Sequence, residues 1–302
     1  MNIPRKFCLG SQWLYLKLYT GFKTADQLLK EIILPTTQQF KQRNLIAYWF
    51  FIRYTDPDFH LRIRMNLIDI QNIGIIITQL HQQLRPYCET DLVWKIQYDT
   101  YNREIERYGA NTMEISEQIF GLDSEAIAQI LTQLTDENSE TQRWLIGLRL
   151  IDALLQDFRY DLEAKQALMK QLQESFGKEF NITDAFRRQF GQQYRTNRTA
   201  VEQVLTMSNN PENAESHLLS AVLQKSENLQ PLINAIFQYQ TENRLQIPLN
   251  DLLCSYIHMM LNRLFRTQQR KHELVTYDYL FRYYDALVKR KNYHEKLGQG
   301  AN

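Results

Sequence analysis

A chain of 302 residues with 44% hydrophobic and 23% charged side chains can bury a core in one large domain or two closely packed ones. Its formal net charge of +1 excludes a chain-wide field that would gather nucleic acid or an anionic membrane, so any anion recognition must be local. With only 10 glycines and 7 prolines, a β-sandwich is disfavoured and long helices are favoured. Cys8, Cys88 and Cys254 fit no zinc or disulfide spacing, which points to a reducing compartment. There is no signal-peptide core and no run of about 18 apolar residues, so a soluble cytoplasmic protein is expected.

Trp13 to Tyr19 alternates with period two, with Leu14, Leu16 and Leu18 on one face and Trp13, Tyr15, Lys17 and Tyr19 on the other. Helical spacing runs from Thr24 to Ile33, with Thr24 as N-cap and Pro35 near the end. Strands are expected at Ile46–Tyr54 and His60–Met65, then a helix from about Asp69 to Leu84 ahead of Pro86, then a strand at Leu92–Tyr98. This β-α-β-β-α-β order is that of a ferredoxin-like split motif, in which helices cover one face of an antiparallel sheet and leave the other free. From about residue 112 the pattern is almost continuously helical. The expected helices are Met113–Leu134, Glu140–Gln156, Leu162–Phe176, Ile182–Met207, Asn213–Gln224, Leu229–Gln240, Leu249–Arg266 and Gln269–Lys289. Ser208-Asn209-Asn210-Pro211 reads as a turn, and the tail Gly298–Asn302 as frayed. The expected class is α+β: a ferredoxin-like sheet subdomain over residues 1–110 packed with a large helical subdomain over 111–302, the two in one compact domain.

The strand after the Asp56-Pro57 turn carries unusual chemistry. Leu61, Ile63 and Met65 share one face, and His60, Arg62 and Arg64 share the other. Guanidinium groups on a rigid strand suit a grip on carboxylates or phosphates; the competing reading is a solvated edge strand. In Tyr101-Asn102-Arg103-Glu104-Ile105-Glu106-Arg107-Tyr108-Gly109, Glu104 can pair with Arg103 or Arg107, as an ion-paired turn or as part of a site. In the apolar helix around Ser255–Arg263, His258, Leu261 and Asn262 share a surface one turn beyond Cys254. His258 is either a core histidine or a general acid/base, since imidazole titrates near neutral pH. The six histidines form no metal motif, and G-x-S-x-G, Walker and G-x-G-x-x-G patterns are missing. Strands one and three carry no RNP aromatic pattern, which weighs against RNA binding.

Taken in order, these segments resemble the C-terminal elimination domain of class I lantibiotic dehydratases, also described as the thiopeptide-type bacteriocin biosynthesis domain. The matching stretches are Trp13 to Tyr19, Trp49 to Tyr54 with Asp56-Pro57, His60 to Arg64, Tyr101 to Gly109, Glu117 to Ser124, and His258 to Arg263. The resemblance runs over nearly the whole chain; each stretch is loose alone, and together in order they are fairly specific. The resemblance implies an enzyme, a lyase that removes glutamate from glutamylated Ser or Thr of a ribosomally made precursor peptide, leaving dehydroalanine or dehydrobutyrine. It implies Arg64, Arg107 and His258 as catalytic groups and Arg62, Glu104, Asn262 and His60 as substrate-binding groups, with no metal and no cofactor. Ala110 departs from the pattern, standing where the family commonly has a second glycine. The large glutamylating domain of the family is not in this sequence, so the expectation is the elimination half of a split enzyme. Its partners would be a precursor peptide with its leader and a separate glutamyl-tRNA-dependent subunit, with no membrane span and no direct nucleic-acid contact; a homodimer stays open. Two other functions compete: a pyridine synthase, which joins two dehydroamino acids and expels the leader, and a non-catalytic peptide-binding scaffold subunit.

Overall fold

The structure is a computed structural model that describes residues 3–134, 139–207 and 216–299. The Ser208–Pro211 turn, the start signal at Asn213 and the last three residues of the tail lie outside the described residues. By its internal contacts the chain divides into two units, one of residues 1–134 and 212–267, the other of 135–211 and 268–302. The class is α+β, with an N-terminal antiparallel sheet followed by a large helical half. No helix among the described residues is long and apolar enough to cross a membrane.

The first unit is built on strands β2 (Trp13–Thr20), β3 (Ile46–Thr55), β4 (Phe59–Leu67) and β5 (Val93–Tyr98), all antiparallel in the order β3-β4-β2-β5. This is the strand order of a ferredoxin-like sheet. A separate two-stranded piece joins β1 (Lys6–Phe7) to β6 (Tyr101–Asn102). Leu14, Leu16 and Leu18 pair across β4 with Met65, Ile63 and Leu61, and these with Trp49, Phe51 and Arg53 of β3. All but Arg53 are apolar, and all nine are buried, so this face carries the core. Helix α3 (Ile73–Glu89) adds Ile76, Leu80 and Leu84 to that core.

Two helices run through prolines that suggested ends. The first strand is followed by α1 (Phe22–Leu28), a π-helical turn (Leu29–Ile33) and α2 (Leu34–Gln42) without a break. The wide turn directly precedes Pro35, where a proline's missing N–H and its ring would otherwise disturb the ladder. The expected cap Thr24 lies inside α1, whose N-cap is Gly21. Likewise α3 continues past Pro86 to Glu89 and is preceded by a short 3₁₀ turn capped by Asp69, whose side chain accepts from the Gln71 N–H.

The first unit is completed by α4 (Ile105–Tyr108), α5 (Met113–Gln133), α9 (Ser216–Thr241) and α10 (Leu249–Leu264). Helix α9 merges two expected helices, with Pro231 inside it. The second unit holds α6 (Ser139–Asp157), α7 (Leu162–Glu179), α8 (Asp184–Thr206) and α11 (Gln269–Gln299). Caps by Asp161 and Thr183 start α7 and α8.

The outer edge of β3 is covered by helices rather than by another strand. Ser124 of α5 accepts from the Phe51 N–H at 3.1 Å, and Asn262 of α10 accepts from the Arg53 N–H while donating to its C=O, both at 2.9 Å. A side-chain amide thus does what a neighbouring strand would do, and the edge is closed to other chains. Gly121 permits the close approach of α5: a Cβ there would stand 3.2 Å from the Trp49 carbonyl oxygen. Two turns of α5 therefore use Phe120, Gly121, Asp123 and Ser124 for packing. Asp123 is buried with Lys225 of α9 at 2.6 Å and Arg263 of α10 at 3.8 Å, so the motif's acidic residue staples three helices.

Candidate active site

The second face of the sheet is organised in cross-strand rungs. Phe50, Arg64 and Tyr15 form one; Ile52, Arg62, Lys17 and Gln97 form the next; Tyr54, His60, Tyr19 and Lys95 form the third. β4 is a central strand, so Arg62 and Arg64 do not sit on an edge. Strand alternation alone brings Arg62, Arg64 and His60 together, as the sequence pattern anticipates.

Arg64 is buried, and its guanidinium carbon lies 4.5 Å from the ring centroid of Tyr15, 4.9 Å from Tyr101 and 5.3 Å from Phe50. Three aromatic faces therefore surround one cation. Its Nε has no hydrogen-bond partner, and no carboxylate pairs with it among the described residues. The rings supply no formal counter-charge. Burial raises the pKa of Tyr15, and burial together with the Glu117 carboxylate raises that of Tyr101 well above the usual phenol value, so both are neutral. Burial also draws Arg64 below its ordinary value, although a guanidinium remains protonated in proteins. An unpaired buried charge costs several kcal/mol, so Arg64 is held here at the expense of stability.

Tyr101 is held by its own hydroxyl, which donates to Glu117 at 2.7 Å. The same carboxylate takes two bonds from Arg103, Nε and a terminal nitrogen at 2.7 Å each. Of the two partners open to Glu104, the structure selects Arg107 at 3.6 Å, because Arg103 is committed to Glu117. The rings of Tyr101, Phe50, Phe120, Tyr108 and Tyr256 continue edge-to-face and stacked from this point, a dry wall behind Arg64.

Arg62 is half-buried and lies flat on Tyr54, its guanidinium carbon 3.4 Å from the ring centroid. Its Nε–H donates to His60 Nε2 at 3.0 Å, and His60 Nδ1 is 2.8 Å from the Asp58 carbonyl. That pair of contacts assigns the proton to Nδ1 and leaves Nε2 as the acceptor. Burial holds the His60 pKa below its ordinary value, so the ring is neutral and serves as a strut for Arg62. Lys17 in the same rung is neutralised by Asp99 at 2.5 Å.

Arg107 reaches α10, donating from Nε to the Ser255 hydroxyl at 3.1 Å. Ser255 and Asn262 lie two turns apart on one stripe of that helix, and His258 falls between them by helical spacing. Hence one helix pins Arg107 at one end, grips β3 at the other and carries the half-buried His258 in the middle. Cys254 is pushed up to about 11 by burial and is a neutral thiol. The loop holding Ala110 is tied down by Gln246, whose side-chain oxygen accepts the Ala110 N–H at 2.6 Å.

The cage residues Tyr15, Phe50 and Tyr101 and the platform Tyr54 were not singled out in the sequence. Register is the signal that finds them: Tyr15 and Phe50 oppose Arg64, and Tyr54 opposes the residue two before Arg62. Tyr101 comes from the separate β1–β6 pair and has no such signal.

Known proteins place this architecture. The nisin biosynthesis protein NisB of Lactococcus lactis subsp. lactis is 34% identical over 131 residues, 43% of this chain and 13% of NisB. The subtilin biosynthesis protein SpaB of Bacillus subtilis is 28% identical over 171 residues, 56% of this chain and 16% of SpaB. The chain thus spans only a small part of the length of these curated relatives. Among solved structures, the tRNA-dependent lantibiotic dehydratase MibB from Microbispora sp. 107891 matches with a TM-score of 0.71 at 20% identity, over 96% of this chain and 29% of that one. TbtD, the pyridine synthase from thiomuracin biosynthesis, matches with a TM-score of 0.67 at 14% identity, over 92% of this chain and 99% of that one. At these identities the likeness is one of fold. The family model described as lantibiotic biosynthesis dehydratase C-term matches residues 13–284, and the chain belongs to that family.

Proposed function

We propose that this chain eliminates glutamate from glutamylated Ser or Thr side chains of a precursor peptide. The observation that carries the reading is Arg64, a buried guanidinium walled by three neutral rings and lacking an acceptor among the described residues. An anion completes such a site, and the leaving glutamate is an anion. The step breaks the Cα–H bond as a base takes the proton, forms the Cα=Cβ double bond with those electrons, and breaks the Cβ–O bond so that glutamate departs as a carboxylate.

In this reading Arg64 holds the glutamyl carboxylate or the ester oxygen on which charge accumulates, and Arg62 on its tyrosine platform adds a second donor. His60 keeps Arg62 in place. Arg107, steadied by Ser255 and Glu104, stabilises the enolate developing on the peptide carbonyl. His258 exchanges the proton, on the helix that Asn262 anchors to β3. The implied substrate is a precursor peptide with its leader, and the implied partner is a glutamyl-tRNA-dependent glutamylating subunit. A cycloaddition between two dehydroamino acids offers Arg64 no leaving carboxylate, so elimination is the reading its isolation favours.

The test is incubation of the purified chain with a synthetic glutamylated peptide, followed by mass spectrometry and glutamate assay. Elimination predicts free glutamate and a peptide lighter by one glutamic acid. Binding without turnover would leave a scaffold, and ring closure with leader expulsion from a dehydrated peptide would establish a pyridine synthase instead.

A further inference from the structure

Helix α8 in the second unit carries a different kind of basic surface. Asp184, Arg187, Arg188, Gly191, Gln192 and Arg195 follow helical spacing along one face, and with Arg282 of α11 they line an open groove of about 650 Å³. Gly191 makes room for α11's arginine: a Cβ there would lie 3.3 Å from its guanidinium. Arg282 is itself satisfied, donating to Asp278 at 2.6 and 3.2 Å and to the Arg187 carbonyl at 3.3 Å. By contrast the side chains of Arg187, Arg188 and Arg195 are exposed, with no hydrogen bond or ion pair among the described residues. Asp184, in the first turn of the helix, is the one carboxylate in the groove lining.

A second, smaller cavity of about 230 Å³ shares Arg187 and Arg282 with the groove. Its walls include Ile182, Phe190, Leu274 and Phe281, so an apolar pocket opens directly beside the arginines. Two carboxylates also border it, Glu174 and Asp278, the latter paired with Arg282. A ligand meeting both features needs carboxylates and an apolar side chain close together. A polynucleotide fits less well, because it has no aliphatic group for the pocket.

We propose that this face of the second unit is a docking site for an acidic peptide segment, with its carboxylates on Arg187, Arg188 and Arg195 and an apolar side chain in the adjoining pocket. The proposal stands independently of the elimination chemistry, since none of these residues belongs to the sheet-face site.

The experiment is fluorescence anisotropy of the full chain with a fluorescein-labelled synthetic peptide of alternating glutamate and leucine. Controls are the same peptide with alanine for leucine, one with lysine for glutamate, and a uridine oligonucleotide. The glutamate–leucine peptide should bind saturably, and the alanine and lysine versions should bind more weakly. Arg188→Glu with Arg195→Glu should weaken binding at least about tenfold, since like charges then face each other. Arg188→Gln with Arg195→Gln, a gentler change, should weaken it in the same direction. Circular dichroism checks that each variant is folded. Unchanged affinity in the folded glutamine variant, absence of saturable binding, or no loss on replacing leucine would overturn the proposal. So would tighter, arginine-dependent binding of the oligonucleotide, which would make this a nucleic-acid site.

Discussion

Under the proposed chemistry, Arg64 sets stability against function. As an unpaired cation among Tyr15, Phe50 and Tyr101 it is costly to bury, and an apolar side chain of similar length would fill the cage. Replacing buried charge in this way is often neutral or stabilising by about 1–4 kcal/mol. Arg64→Met should therefore keep or raise the melting temperature and, under the proposed elimination, slow glutamate release about 10²–10³-fold, as expected on losing one donor to a developing negative charge. A large drop in melting temperature would show that the arginine is structural. His60 gives a second test. Burial lowers its folded pKa, with Arg62 and Lys17 acting in the same direction against the Asp58 carbonyl and Asp56. Between that lowered value and the unfolded value of about 6.5, the unfolded chain binds more protons. The contribution is thus full above about pH 6.5 and is lost as pH falls toward the folded pKa. Thermal melts should show a steeper acid loss for the parent than for His60→Gln, which retains an acceptor for Arg62. Arg62 and Arg64 were legible as a pair because alternation is a local property. Tyr101 was not legible as a cage wall, since its place depends on β1 finding β6 and on a hydroxyl bond to Glu117.

At the scale of elements, the covered edge of β3 is the feature most open to measurement. Asn262→Ala leaves the Arg53 N–H and C=O without their partner, and an unsatisfied buried backbone group costs about 1–3 kcal/mol. Denaturant unfolding should register a loss of that size, and hydrogen exchange should be faster at Arg53 than at Leu61. Equal stability and unchanged exchange would mean that water serves the edge as well as the amide does. Lys225→Ala should be more damaging, about 3–5 kcal/mol, because Asp123 would remain buried against Arg263 alone. Element order was readable from periodicity: the strands at Trp13 and His60 and the helices around them fall where alternation and helical spacing put them. Continuity was not. Pro35 and Pro86 each look like an end, yet each lies within a helical run whose neighbours pack well enough to hold it. Packing of that kind overrides a local rule and leaves no mark in a short window. The stretch Phe120 to Ser124 is another case: its motif is visible, but its work of approach, stapling and edge covering needs β3, α9 and α10 in place.

For the molecule as a whole, a net charge of +1 conceals two cationic regions of opposite character. The sheet-face arginines are shielded by rings, whereas those of α8 stand in solvent. Screening acts mainly on exposed charges. Under the two proposals, raising sodium chloride should therefore weaken acidic-peptide capture steeply while leaving kcat for elimination at saturating substrate nearly constant. A parallel fall of both would place the two events on one surface. The units that carry these regions are each assembled from two stretches of chain, so the sheet and α10 meet only after the intervening segment has returned. No reading of consecutive residues exposes that arrangement.

The aromatic enclosure around Arg64 has one more consequence. A receptor shaped for a departing group is equally a receptor for that group once free. Under elimination chemistry, L-glutamate should compete with the glutamylated peptide, and turnover should slow as it accumulates. Neutral glutamine, lacking the side-chain carboxylate, offers a weaker rival. Progress curves with each amino acid added at the start would distinguish dwell of the product from slow bond cleavage.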